Sequence, residues 1–168
     1  GAISPENCTA CGAGKYGLHA GAENVSSCLR CPKGTFSPDT AQIDETTCSP
    51  CRPGTYQPLP GQVSEQDCIE CNAGRYSAQS AATNISSCLL CHKGSYSLSG
   101  ASQCTTCSDH ADTRGKIISF VGATSPQNCT PCLPGYMFSN ETFCQECPAG
   151  FHSAEEQERS LGAGCIAC

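Results

Sequence analysis

Nine C-x-x-C pairs account for all 18 cysteines of this 168-residue chain. The first five begin at Cys8, Cys28, Cys48, Cys68 and Cys88, a strict period of 20. The period then loosens, to Cys104, Cys129, Cys144 and Cys165. After the second cysteine of a pair one short phrase returns: CGAGKY from Cys11, CPKGTF from Cys31, CRPGTY from Cys51, CNAGRY from Cys71 and CHKGSY from Cys91. Glycine stands three residues after the cysteine and an aromatic ring five after. A small residue stands ten after, at Gly21, Ala41, Gly61, Ala81 and Ala101. Self-similarity at so short a period restricts the chain to copies of one small unit laid end to end.

Each recurrent position has a local physical meaning. Glycines 14, 34, 54, 74 and 94 can adopt φ > 0 without a Cβ clash. Pro53-Gly54 and Pro134-Gly135 suit a type II turn, with proline at the first central position and glycine at the second. The ring two residues later can fold over a neighbouring disulfide. The small residue ten after the cysteine predicts a tight approach of two chain segments. These are turn and packing devices, and none is a catalytic group.

The paired cysteines could grip a metal, do redox chemistry or bond to one another. C-x2-C-x16-C-x2-C fits the general spacing of four-cysteine zinc sites, and a single C-x-x-C can be a redox motif. Against both, nine pairs in succession do not divide into four-cysteine sites, and no interval in the strict region looks like a spacer. Five of the six asparagines lie in N-x-S/T sequons, at Asn7, Asn24, Asn84, Asn128 and Asn140. Sequons point to a glycosylated secretory product and so to a compartment that favours disulfides. Asn7 and Asn128 have cysteine in the middle position, which sets them apart from Asn24, Asn84 and Asn140. Composition demands such cross-links. Leu, Ile, Val and Phe number only 23, which places the chain in the disordered range unless something other than a hydrophobic core holds it.

The repeat is 20 residues, not 40, and the simplest bond that respects it joins the second cysteine of one pair to the first of the next. That scheme gives Cys11–Cys28, Cys31–Cys48, Cys51–Cys68, Cys71–Cys88, Cys91–Cys104, Cys107–Cys129, Cys132–Cys144 and Cys147–Cys165. A crossed scheme would impose a 40-residue period, and nothing alternates that way. Closing one such loop contributes about 3 kcal/mol in the chain-entropy picture, and several staples can replace a core. Cys8 and Cys168 are left over, for modules further out in a longer chain or for a bond between copies. Such a head-to-tail contact makes an open fibre unless its rotation closes.

The phrase C-x-x-C-x-x-G-x-[YF] followed by another C-x-x-C resembles the ephrin-receptor-like cysteine-rich repeat. It is related to tumour-necrosis-factor-receptor-type cysteine-rich modules and to C-x-x-C protist surface proteins. The match is close from Cys8 to Cys107. The resemblance implies an extracellular, extended, disulfide-stapled module used in stalks, spacers or binding ectodomains, and it supports the loop connectivity above.

After Cys107 the pattern changes. CSDHADTRGKIISFVGATSPQNC has His110 where glycine is usual and holds the run Ile117, Ile118, Ser119, Phe120 and Val121. This run reads either as an exposed strand that docks a partner, through Ile117, Ile118, Phe120 and Val121, or as an inserted hairpin packing on its own module. Asp109, His110 and Asp112 could ligate a metal, though a polar loop is the simpler reading. In the last two intervals the ring follows the glycine directly, as Gly135-Tyr136 and Gly150-Phe151, which predicts a rearranged turn. Glu155–Arg159 reads as one solvated helical turn. The start, GAISPENCTAC, matches GATSPQNCTPC from Gly122 at eight of eleven positions. The echo is either a higher duplication or a common way of entering a module.

The fold class expected is small and disulfide-rich: an elongated linear array of modules with short β-ribbons and turns and little regular secondary structure. Residues 1–107 form the regular repeats, 108–132 an irregular longer module, and 133–168 two degenerate modules. A net charge of −6 argues against nucleic acid, which needs a basic stripe, and no window is long and apolar enough to span a membrane. Residue 1 is glycine and no secretory signal is visible, so the chain reads as a mature or excised piece of a longer one. No nucleophile–base motif, phosphate loop or informative carboxylate pair supports an enzyme. His19, His92, His110 and His152 sit in different modules, and no cofactor is implied. Two functions remain, both extracellular or at the cell surface. One is a glycosylated structural rod of a stalk, coat or fibre whose partners are N-glycans and other copies or neighbouring modules. The other is a ligand-binding or adhesion ectodomain.

Overall fold

The computed structural model describes residues 10–17, 28–108, 116–140, 143–153 and 165–167. Among them there is no α-helix, only eight two-stranded antiparallel ribbons and short 3-10 turns. The chain divides into two compact units. One is Gly1–Cys71 with Ser77–Cys88, and the other is Asn72–Tyr76 with Leu89–Cys168.

In the first unit Lys15–Gly17 pairs with Cys28–Arg30, Thr35–Phe36 with Ser49–Pro50, and Thr55–Tyr56 with Ile69–Glu70. Each ribbon starts from a tight turn that places glycine in the left-handed region. In the Pro53-Gly54 turn Gly54 has φ +88°, and the Thr55 amide donates to the Arg52 carbonyl at 3.2 Å. These are the hallmarks of the type II turn that the Pro-Gly pair dictates. The Thr55 hydroxyl donates to the same carbonyl at 2.7 Å, and Thr35 does likewise to Pro32 at 2.9 Å, so the fourth residue after the cysteine braces the turn. The far end of each loop is a capped 3-10 turn four residues before the closing cysteine. Asp44 caps Glu45–Thr47, Ser64 caps Glu65–Asp67 and Asn84 caps Ile85–Ser87, each side chain accepting the backbone N–H two residues on. At the second of these, Asp67 reaches back to the Ser64 amide at 3.0 Å and completes a capping box.

The loops are closed by Cys11–Cys28, Cys31–Cys48, Cys51–Cys68 and Cys71–Cys88, each spanning a sequence separation of 17. The second unit is closed by Cys91–Cys104, Cys107–Cys129, Cys132–Cys144 and Cys147–Cys165. Its ribbons pair Arg75–Tyr76 with Leu89–Leu90, Ser95–Tyr96 with Thr105–Thr106, Lys116–Ile117 with Thr130–Pro131, Tyr136–Asn140 with Phe143–Glu146, and Phe151–Ser153 with Cys165–Ala167.

One module is bonded to the next by the same backbone contacts each time. The turn glycine donates forward, Gly14 to Ser37 at 2.8 Å, Gly34 to Gln57 at 2.9 Å and Gly54 to Ser77 at 2.7 Å. The small residue of the next module donates back, Ala41 to Cys11, Gly61 to Cys31 and Ala81 to Cys51, at 2.7–2.9 Å. The second unit repeats both, with Gly74 to Ser97, Gly94 to Ile118 and Gly122 to Cys91. Isolated parallel bridges run beside them, Tyr16 to Gln42 and Phe36 to Gln62 in the first unit, Tyr76 to Ala101 and Tyr96 to Ala123 in the second. The tight approach expected of the small residue lies two modules away. A Cβ on Gly14 would stand 2.5 Å from the Gly61 carbonyl oxygen, and one on Gly34 would stand 2.7 Å from the Ala81 carbonyl carbon. The small residue must also sit at positive φ, which Ala41 and Ala81 do at +60° and +54°. In the fifth interval this role falls to Gly100 (φ +71°) and not to Ala101, which takes the bridging place instead. That loop is shorter, with a separation of 13, and has lost the 3-10 turn.

Sulfur fills the interior. Eleven of the sixteen buried apolar residues among those described are half-cystines. The aromatic ring of one module packs on the disulfide of the next, Tyr16 on Cys31 and Cys48 in the first unit, Tyr96 on Cys107 and Cys129 in the second, where Ile118 and Ala123 join. Truncating such a ring leaves a hole against an immovable cross-link. Tyr96→Ala is expected to cost about 3 kcal/mol, whereas Tyr136→Ala, at an exposed ring, should stay within about 0.5 kcal/mol. Urea unfolding midpoints of the two variants measure the difference.

Candidate functional site

The repeating module offers three kinds of functional group: the cysteine pairs, the sequon asparagines and the apolar side chains that face solvent. The structure brings together all sixteen cysteines from Cys11 to Cys165 as the eight bonds given above. Cys8 and Cys168 lie outside the described residues, as do Asn7, Asn24, His19, the Asp109, His110 and Asp112 cluster, and Glu155–Arg159. Cys31, Cys51, Cys71 and Cys91 are almost wholly buried, while Cys147 and Cys165 are half-exposed.

Asn84 and Asn128 occupy different positions of the same turn. Asn84 is the exposed cap residue, and its Oδ1 accepts the Ser86 amide at 2.8 Å and the Ser86 hydroxyl. Asn128 ends the turn Pro126–Asn128, half-buried, and its Oδ1 accepts the amides of Thr124 at 3.0 Å and Ser125 at 3.1 Å. Asn140 ends the strand Tyr136–Asn140. The GATSPQNCTPC phrase spans the positive-φ Gly122, the bridging Ala123, this capped turn and the closing Cys129. It therefore encodes the second half of a loop, which gives the echo a local physical reason.

The run from Ile117 to Val121 is split by the fold. Lys116–Ile117 occupies the place that Thr35–Phe36 holds in a regular module, so the long interval rebuilds the standard ribbon beyond its extra residues. Ile118 then takes the inward place of Ser37 and is fully buried against Tyr96, Cys107 and Cys129. Ile118 is thereby withdrawn from any contact surface, because strand alternation turns it inward. Ile117 is half-buried, and Phe120 and Val121 are exposed. In the last modules the shift of the ring by one residue turns it outward by the same alternation, and Tyr136 and Phe151 are exposed, as are Leu133 and Ile166.

Charged chemistry is sparse. Arg52 lies 2.9 Å from Glu70 and 3.8 Å from Glu65 across a shallow depression of about 370 Å³ that Thr55 and Gln66 also line. The Tyr16 hydroxyl donates to Glu45 Oε2 at 3.1 Å. Burial and this bond to a carboxylate push its phenol above the ordinary value. The hydrogen bond from the Thr46 amide holds the Asp44 carboxyl below 3.8. A carboxyl depressed by folding stabilises the folded state fully above its unfolded pKa, and that contribution is lost as pH falls through the lower folded value. Asp44→Ser keeps a cap acceptor without the charge and, unlike asparagine before Glu45-Thr46, creates no sequon. Its thermal midpoint is therefore expected to fall less than wild type as the solution is acidified below 3.8. Among the described residues no group of three or more His, Cys, Asp or Glu is arranged to hold a metal ion, and no helix is long and apolar enough to cross a membrane.

Comparison with known proteins adds one match. Residues 40–88 fit the family model described as tyrosine-protein kinase ephrin type A/B receptor-like. The stretch covers the loops closed by Cys51–Cys68 and Cys71–Cys88 and the second half of the one before. No curated protein matches the chain. This repeat is a non-catalytic extracellular module type, and with eight disulfides it points to an extracellular location. Residues 40–88 are thus similar to the ephrin-receptor-like cysteine-rich repeat, and the same pattern of ribbon and disulfide recurs in the other described modules.

Proposed function

We propose that the chain is a structural segment of an extracellular glycoprotein, a disulfide-stapled rod in a stalk, surface coat or fibre, with no catalytic role. The observation that carries this reading is the repetition of one inter-module contact: turn glycine forward, small residue back. A module whose leading and trailing faces are complementary adds copies without limit, the geometry of spacers and open assemblies. In this reading Cys8 and Cys168, which the sequential pairing leaves over, extend it covalently, either within a longer chain or between copies. Negative-stain images of the native material, with gels run with and without reductant, test this. Regular filaments or covalent ladders that collapse on reduction support self-assembly. Monomer in both gels with no filaments ends it.

A second reading, a ligand-binding or adhesion ectodomain, is favoured by one feature. Tyr136 and Phe151 in the second unit are exposed where regular modules bury or cover the ring, and Phe120 and Val121 are exposed as well. Large exposed apolar groups mark contact sites when they are contiguous. Phe120→Ser with Val121→Ser would abolish partner capture from the native surface in that case. It would leave a pure spacer unaffected.

A further inference from the structure

The two sequons whose asparagines are held in the turn before a closing cysteine use that asparagine in opposite ways. Asn84, Ile85 and Ser86 are all exposed, and their mutual hydrogen bonds stay within the three residues. The cap depends on Oδ1 alone. Nδ2, the atom that would carry a sugar, takes no part in it. At the other sequon every residue serves the fold. Asn128 is half-buried and holds two backbone amides with Oδ1. Cys129 is buried in its bond to Cys107. Thr130 is exposed, and its hydroxyl donates to the Ile117 carbonyl at 3.4 Å.

We infer that Asn84 carries an N-linked oligosaccharide with its capping bond intact, and that Asn128 stays unmodified because folding and disulfide closure draw its sequon into the module. The inference rests on the reading of the chain as a secreted glycoprotein. In the step itself, Nδ2 attacks the anomeric carbon of a lipid-diphosphate-linked oligosaccharide. The new N–C bond forms as the anomeric C–O bond to the diphosphate breaks, the lipid diphosphate departs with the electron pair, and the Nδ2 proton passes to a base. No oxidant is required. The cap survives because an N-substituted amide keeps its carbonyl oxygen. In the first unit Asp44 shows that an oxygen acceptor is all the position needs.

The full chain secreted from eukaryotic cells, digested and released with a peptide N-glycosidase in ¹⁸O-water, reports occupancy at each sequon by mass. Labelled aspartate at position 84 and unlabelled Asn128 is the expected pattern. An unmodified Asn84 beside an occupied Asn24 or Asn140 overturns the inference and leaves the glycoprotein reading standing. Equal occupancy at Asn128 also overturns it. No occupancy anywhere defeats the glycoprotein reading itself. Two variants separate sugar from cap. Asn84→Asp is expected to lose one glycan in a gel shift yet keep the thermal midpoint of wild type when both are trimmed with an endoglycosidase that leaves a single sugar on each occupied asparagine. Asn84→Gln should lose the same glycan and melt earlier. Identical melting of the two would show that the oxygen does not cap.

Discussion

Gly34→Ala is expected to destabilise the first unit by about 2–5 kcal/mol, summing a left-handed backbone penalty of about 1–2 and an overpacking term of about 1–3. Gly34 has φ +82°, and its absent Cβ faces the backbone of Ala81, two modules along, which cannot rotate away. Gly135 has nearly the same φ, +86°, but nothing within 4 Å of its Cβ position. Gly135→Ala should therefore cost only the backbone part, about 1–2 kcal/mol. The excess at Gly34 isolates the close approach of modules from the turn. Denaturant midpoints, each read from the exchange of amides in the affected unit, measure both. Equal costs would mean that the approach is slack.

Removing the Cys51–Cys68 bond by Cys51→Ala with Cys68→Ala is the second large effect. Removing a native disulfide from a small secreted domain costs about 2–5 kcal/mol. Alanine is the better replacement at these buried positions, since serine would add an unpaired hydroxyl. The pair Cys147 and Cys165 spans a nearly identical separation, 18 against 17, so the loop-entropy contribution is the same for both. Cys147 and Cys165 are half-exposed, however, while Cys51 is fully buried and Cys68 nearly so. The Cys51–Cys68 deletion is expected to cost about 1–2 kcal/mol more, the packing share of a buried sulfur pair. Equal losses would assign the disulfides a purely entropic role.

Much of the module was legible before any coordinates, because its signals are local. Gly14, Gly34 and Gly54 mark turns wherever they stand, a ring two residues later alternates inward or outward with the strand, and a 20-residue unit leaves few sulfur pairings. What escaped reading depends on neighbours in space. The positive φ of Ala41 and Ala81 carries no sequence signature, since alanine seldom adopts it. The capped turn carries only a weak signature, because three residue types share the place four residues before a cysteine, as Asp44, Ser64, Asn84 and Ser125, and which of their atoms caps is set by neighbours in space. The long interval after Cys107 is less legible, because His110 stands where glycine marks the turn elsewhere. In fact the ribbon reforms at Lys116–Ile117, and Ile118 fills a place serine holds elsewhere. The site residues set apart for protein contact were accordingly mixed, with Ile118 inside and Phe120 and Val121 outside.

Backbone amide exchange, recorded on the native chain and again after complete reduction and alkylation, tests most directly whether sulfur cross-links take the place of an apolar core. Protection is expected at the ribbon and inter-module amides of Gly34, Cys51, Gly61 and Gly122 in the native chain, and it should vanish in both units once the thiols are blocked. Protected amides that persist in the fully reduced chain, or a native chain that already contains free thiols with bound zinc, would contradict it.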